Sequence, residues 1–173
     1  KGRIDSSTYF VKGTNCWGWA TWKRGWDQFD ADGRRLLAQL SQRKLTREFD
    51  VNGSYSYTNM LRGQVSGKND SWAIRWHASA FLRNRLTLLP SKSLVRNIGL
   101  DGSGRHCSRI DPNPFEVELS VQPVPVETIP IEENIQILIS LEAYFRRVLW
   151  ARWRSALRRP IPVLKRLLQL RQQ

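Results

Sequence analysis

Asp70, Trp72 and Trp76 are the residues of this chain whose types and spacing best suit chemistry. They lie in the stretch Gly67-Lys68-Asn69-Asp70-Ser71-Trp72-Ala73-Ile74-Arg75-Trp76. Gly67 ends one element. Asn69, Asp70 and Ser71 are all strong helix-capping types, and a helix-compatible run follows from Trp72 to about Asn84. A carboxylate therefore stands at a helix N-terminus, beside two tryptophans spaced i, i+4 on one helix face. A short acidic side chain next to a large flat apolar surface suits a sugar. The carboxylate takes a hydroxyl proton and the indole covers the C–H face of the ring. The same residues also fit a plain structural role, with Asp70 as a cap and the tryptophans as core.

A second aromatic stretch precedes this one. Cys16-Trp17-Gly18-Trp19-Ala20-Thr21-Trp22-Lys23-Arg24-Gly25-Trp26 holds four tryptophans. Trp19, Trp22 and Trp26 follow i, i+3, i+7, which predicts a helical stripe, either functional or simply core. A third stretch, Gly99-Leu100-Asp101-Gly102-Ser103-Gly104-Arg105-His106-Cys107, reads as a glycine loop whose amides could wrap an anion. Read bare, His106 is an ordinary loop residue.

The elements that must position these stretches are short extended pieces and helices. Residues 8–12 read as a strand and Gly13-Thr14-Asn15 as a turn. One amphipathic helix is predicted from Gly33 to Phe49, carrying Leu36, Leu37, Leu40 and Leu45 inward, with Asp30, Asp32 and Asp50 as caps. Asp50-Val51-Asn52-Gly53 is a turn signal, and Tyr55 to Val65 reads as the helix leading into Gly67. Arg85 to Pro90 reads as a strand stopped by proline, and Ser93 to Ile98 as a second extended piece. Residues 111–130 hold five of the eight prolines and read as an extended arm. From Glu132 to about Arg159 the pattern is helical, with Ile135, Leu138, Ile139, Glu142, Phe145, Leu149 and Trp153 on the 3.6 period and arginines filling the rest.

Composition narrows the function classes. The 173 residues carry a net charge of +13, with eight tryptophans and 40% hydrophobic residues. The tail from Glu142 onward holds nine Lys/Arg and one acid, leaving only +5 on the first 141 residues. The globular part is thus mildly basic, and anionic partners are expected mainly of the tail. A basic amphipathic helix with Trp150 and Trp153 suits an anionic membrane surface or a partner protein, or else a solvated face of a packed helix. No 18-residue apolar run is present, so no span of the membrane is expected. Cys16 and Cys107 lack metal-like or Cys-x-x-Cys spacing and read as reduced thiols of a cytoplasmic protein. The opening Lys1-Gly2-Arg3, with Met60 the only methionine, reads as part of a longer chain.

Four of these stretches, taken in order, resemble the C-terminal half of bacterial family-two glycosyltransferases. They are Cys16-Trp17-Gly18-Trp19-Ala20-Thr21-Trp22, Asn52-Gly53-Ser54-Tyr55-Ser56-Tyr57, the Gly67 to Trp76 stretch, and Ser93 to Cys107. The resemblance covers residues 8–107 and implies a partial GT-A type, Rossmann-like α/β fold, its C-terminal half, with an appended basic helical tail. Residues 1–110 would be the acceptor side of the glycosyltransferase domain, 111–131 a proline-rich arm and 132–173 the tail. The donor half, with the Asp-x-Asp motif that holds a divalent metal (Mn²⁺ or Mg²⁺) on the nucleotide-sugar diphosphate, has no counterpart upstream of Trp17. By the same resemblance Asp70 is the catalytic base of an inverting transfer, with Asn69 where many relatives carry Glu. Trp72 and Trp19 belong to the acceptor-binding surface, Lys68 and Arg105 face diphosphate charge, and His106 reaches the metal.

The implied partners are a nucleotide-sugar donor and a carbohydrate or lipid-linked acceptor. The implied location is cytoplasmic, or peripheral on the inner face of the membrane, as suits cell-surface polysaccharide synthesis. Without a donor half, this chain alone is expected to be inactive. Two other classes compete: a non-catalytic remnant acting through its helical tail, and a nucleic-acid-binding module. Nucleic acid is disfavoured because most of the tryptophans lie apart from the arginines.

Overall fold

The computed structural model of the chain describes residues 6–104 and 115–157. The architecture is mixed α/β, with six α-helices and a two-stranded antiparallel sheet among the described residues. Strand β1 (Thr8–Lys12) pairs with β2 (Leu86–Pro90) in the register Thr8↔Pro90 to Lys12↔Leu86. The pairing runs on through Ser91 N–H to the Ser7 carbonyl and Gly13 N–H to the Arg85 carbonyl, each 2.9 Å. Ladder bonds therefore fall on the odd residues of β1. Pro90, opposite Thr8, sits where no N–H is required.

Helices fill the interval between the strands: α1 (Lys23–Trp26), α2 (Gly33–Gln42), α3 (Thr46–Phe49), α4 (Tyr57–Val65) and α5 (Trp72–Leu82). Their buried side chains Leu36, Leu40, Phe49, Leu61, Ile74, Ala78, Phe81 and Leu82 form one core, with Leu37, Leu45 and Tyr57 against it. α2, α4 and α5 are each stopped by the same local device. The N–H after a left-handed residue returns five residues: Leu45 to Leu40 (2.9 Å), Lys68 to Gly63 (2.8 Å) and Arg85 to Ala80 (2.9 Å). The left-handed residues are Lys44, Gly67 and Asn84.

Lys44 is the reason for a correction. The predicted single helix Gly33 to Phe49 is two, α2 and α3, broken at a lysine with φ of 55°. The expected Trp19–Trp22–Trp26 helical stripe is also not a helix, since only Lys23–Trp26 is helical and Trp22 is its exposed N-cap. Among the three aspartates, Asp32 caps α2 by accepting from Arg34 and Arg35 N–H at 3.0 and 3.1 Å. Asp50 caps α4 from eight residues upstream, accepting Thr58 N–H at 2.6 Å. Asp30 is not a cap. It is buried and takes a two-pronged bond from Arg35, at 2.8 and 2.6 Å. The Arg35 guanidinium holds its carboxyl below the ordinary carboxylate range.

The chain returns through an exposed arm to α6 (Ile135–Leu157). The arm touches the rest at Ser7 Oγ, which donates to the Pro125 carbonyl (2.8 Å), and at Ser120 N–H, which donates to the Ser93 carbonyl (2.8 Å). Before α6 begins, Glu133 accepts Lys12 N–H (3.1 Å) and Asn134 N–H donates to the Phe10 carbonyl (2.9 Å). The outer edge of β1 is thereby occupied. Asn134 then caps α6 by accepting Ile137 N–H at 3.1 Å.

Candidate functional site

The site is built where the Cys16–Trp22 loop meets the start of α5. Ser71 is the N-cap residue of α5 and its hydroxyl accepts Ile74 N–H. Asn69 Oδ1 accepts Ser71 N–H (3.1 Å), while its amide donates to the Met60 carbonyl within α4 (3.3 Å). Asn69 thus pins the approach to α5, and Asp70 stands exposed between these two anchors. Lys68 is exposed just past the end of α4. Arg105 and His106 lie outside the described residues.

The tryptophans gather into one cluster. Trp19 lies 5.6 Å from Trp72, 5.8 Å from Trp26 and 6.1 Å from Trp76. Trp26 is 5.2 Å from Trp76 and stacks on Phe29 at 4.8 Å, the planes only 9° apart. Trp76 forms the floor at 5% exposure, whereas Trp72 and Trp26 are 40% and 39% exposed. Five rings from three segments therefore make an aromatic surface that is supported from below and open above. Pairs of this kind contribute about 0.5–1.5 kcal/mol each beyond the area they bury. The indole Nε1–H of Trp76 is buried with no partner among the described residues, an unmet donor beneath the surface.

Arg75 ties the cluster to the core. Its guanidinium donates to the Ser71 carbonyl (3.3 Å) and to the Ala31 carbonyl (3.0 Å), and it lies over the Phe29 ring. Ser79 Oγ accepts Asp30 N–H at 3.0 Å and donates to the Arg75 carbonyl at 2.7 Å. The segment between Phe29 and α2 is thereby fixed to α5 at two levels.

His77 is the residue that the sequence reading did not single out. Its ring lies against Tyr57 (4.5 Å), Phe49 (5.2 Å) and Phe81 (6.5 Å). Nδ1 lies 3.1 Å from the Thr14 nitrogen and 3.0 Å from the Thr14 carbonyl, so the ring is tied to the Thr14 backbone through Nδ1 in either tautomer. Burial lowers its pKa to about 4, against a weaker opposing effect of the Thr14 carbonyl. A neutral histidine thus fastens the start of the loop that carries Trp19. Gly13 permits the approach, since it has φ of 91° and a Cβ there would collide with the imidazole. That glycine, three residues before Cys16, is the only sequence signal for the contact. Cys16 is a free thiol whose pKa is raised by burial, and Tyr57 is raised likewise.

The Ser93 to Cys107 stretch reaches the Cys16–Trp22 loop at Val95. Gly18, at φ of 58°, lies so close to Val95 that a Cβ would collide with it. Trp17 meets Phe115 edge-on at 5.9 Å. Asn97 caps a short 3-10 turn, Ile98–Asp101, accepting Gly99 N–H at 2.9 Å. The structure therefore brings together Trp19, Trp72 and the Asp70 segment. Among the described residues no group of three His, Cys, Asp or Glu side chains is placed to hold a metal. The described part offers no donor set for the expected Mn²⁺ or Mg²⁺, and no ligand is assigned there. A cleft of about 450 Å³ between β1 and residues 129–136 is lined by none of the candidate residues. No helix among the described residues is long and apolar enough to cross a membrane. Compared with known protein families, with curated proteins and with solved structures, the chain matches none.

Proposed function

We propose that this chain is the acceptor side of a GT-A type, family-two glycosyltransferase that transfers a sugar from a nucleotide-sugar to an acceptor hydroxyl with inversion. The observation that carries the reading is the convergence of separate sequence stretches on one open aromatic surface, with an exposed carboxylate two residues before Trp72. In this reading the acceptor ring lies on Trp72 and Trp19, its C–H face against the indoles. Asp70 takes the proton of the attacking hydroxyl as the new glycosidic bond forms. Lys68 and Arg105 remain candidates for diphosphate charge, and His106 for the metal.

The support is positional. Asp70 is held by Asn69 and Ser71 on either side, so the carboxylate is carried by a fixed stretch of backbone next to Trp72. The test is a substitution in the chain joined to a donor-binding half. Asp70→Asn lowers the transfer rate by about 10²-fold or more with donor affinity unchanged, since a positioned general base contributes on that order. Turnover of Asp70→Asn within a few-fold of the parent removes Asp70 from this role.

A further inference from the structure

The helix α6 is apolar on two faces, and only one of them is used by the fold. Ile137 is buried, and Leu138, Leu141, Tyr144, Phe145 and Val148 share its side of the helix, half-buried. Phe145 meets Tyr55 at 4.5 Å, and Glu142 accepts from the Asn52 amide at 3.0 Å. At the helical period, Ile135, Ile139, Leu149, Trp150 and Trp153 fall on a different stripe, about 27 Å long, with the Glu142–Arg146 ion pair (2.6 Å) on the same arc between Ile139 and Leu149. All five are exposed, Trp150 at 61% and Trp153 at 57%. Arg147 and Arg154, two turns apart, run along one flank of this stripe, and both are exposed.

We propose that this outward stripe is a landing surface for an anionic lipid membrane, on which α6 lies flat. Charge favours that occupant over a second copy of the chain. From Glu142 onward the sequence holds nine Lys/Arg against one acid, so two such tails repel each other while an anionic surface attracts both. Glu142, the carboxylate that the helical period places on this stripe, is turned to Asn52 and to Arg146 (2.6 Å), which withdraws it from repelling lipid phosphate. Aliphatic Ile135, Ile139 and Leu149 suit acyl chains rather than nucleic-acid bases. Two indoles meeting edge-on at 5.6 Å suit the level of the headgroups. The arginine flank extends toward lipid phosphates while its stems stay beside the stripe.

The experiment uses the full 173-residue chain with vesicles of mixed phosphatidylserine and phosphatidylcholine, and with vesicles of phosphatidylcholine alone, read by co-sedimentation and tryptophan fluorescence. Binding to the anionic vesicles, a blue-shifted emission and release by added salt are expected. The double variant Trp150→Ala, Trp153→Ala reduces partitioning roughly tenfold or more. Arg147→Gln with Arg154→Gln reduces it by a similar factor on anionic vesicles only. These side chains are exposed, so thermal melting of both variants matches the parent. Equal partitioning onto neutral and anionic vesicles, or undiminished binding of the double tryptophan variant, overturns the proposal. A chain that ignores vesicles but forms a dimer dissolved by the tryptophan substitutions also overturns it, and makes the stripe a contact between copies.

Discussion

Trp19 and Trp72 stand 5.6 Å apart, and so do Trp150 and Trp153. The two pairs are otherwise opposites. Behind the first lie Trp76, Trp26 and Phe29, contributed by two further turns of structure, and beneath those the Arg75 and Ser79 bonds to the Phe29–Ala31 segment. The second pair comes from one helix and is held by its backbone alone, both rings more than half exposed. A supported surface has one shape, which suits a small rigid ligand whose ring must sit in register with a carboxylate. An unsupported pair on a basic helix suits a diffuse partner that needs apolar area and charge but no register. The difference is one of fixation rather than of aromatic content.

The comparison breaks or stands first on stability. Trp76→Ala removes the floor of the supported cluster and costs about 3–5 kcal/mol, the range for deleting a buried aromatic ring. Trp153→Ala costs no more than about 0.5 kcal/mol, as for exposed positions without a partner in the core. Chemical denaturation of the two variants checks both. Similar losses would mean that the tail pair is packed and the contrast false.

Acid separates the regions next. His77 has a folded pKa near 4, below the ordinary histidine value of about 6.5, so the unfolded chain binds the extra proton between those values. Stability contributed by neutral His77 is complete above pH 6.5 and is lost as pH falls toward 4, by about 3 kcal/mol. Asp30, whose pKa is depressed by Arg35, adds a loss of the same sign at still lower pH. Melting temperature followed against pH gives the slope, and His77→Phe should flatten it between pH 6.5 and 4. A pH-independent melting temperature across that window would show that the imidazole does not fasten the Trp19 loop as described.

A smaller effect tests how the cluster is reached from the neighbouring turn. Asp50→Ala removes the carboxylate that accepts Thr58 N–H and lowers stability by about 1 kcal/mol, the usual value of an N-cap. The loss should fall on α4, which hydrogen exchange of its first turn reads directly. Unchanged exchange there would leave α4 capped by some other group.

What was legible in the sequence was local. The strand at 8–12, the ends of α4 at Gly67 and of α5 at Asn84, and the stop at Pro90 each depend on residue types within a few positions. The α/β class was implied by the family resemblance, and the mixed α/β part of it is what the fold shows. The candidates Asp70, Trp72 and Trp19 were legible as residues, and the last two do meet. The unread features depend on contacts across the chain or on an unusual backbone. A lysine at φ of 55° is not the residue a helix end advertises, so α2 and α3 read as one. Trp19 and Trp26 belong together, yet through a loop fixed by His77 and Gly13 rather than through a helical period. Asp30 looked like a cap because the arginine that engages it is five residues away and could equally have faced solvent. In α6 one 3.6 period merged a packed face with an exposed one, since apolar type alone does not say which face finds a partner.

The most direct test of the acceptor-side reading is a tryptophan fluorescence titration of the intact chain with a panel of oligosaccharides, alongside Trp72→Ala and Trp150→Ala. The account predicts a saturable change in the parent at roughly millimolar concentration, as suits a small open site. It predicts the same change in Trp150→Ala and its loss in Trp72→Ala. No saturable response to any saccharide, or a response that survives in Trp72→Ala, would contradict it.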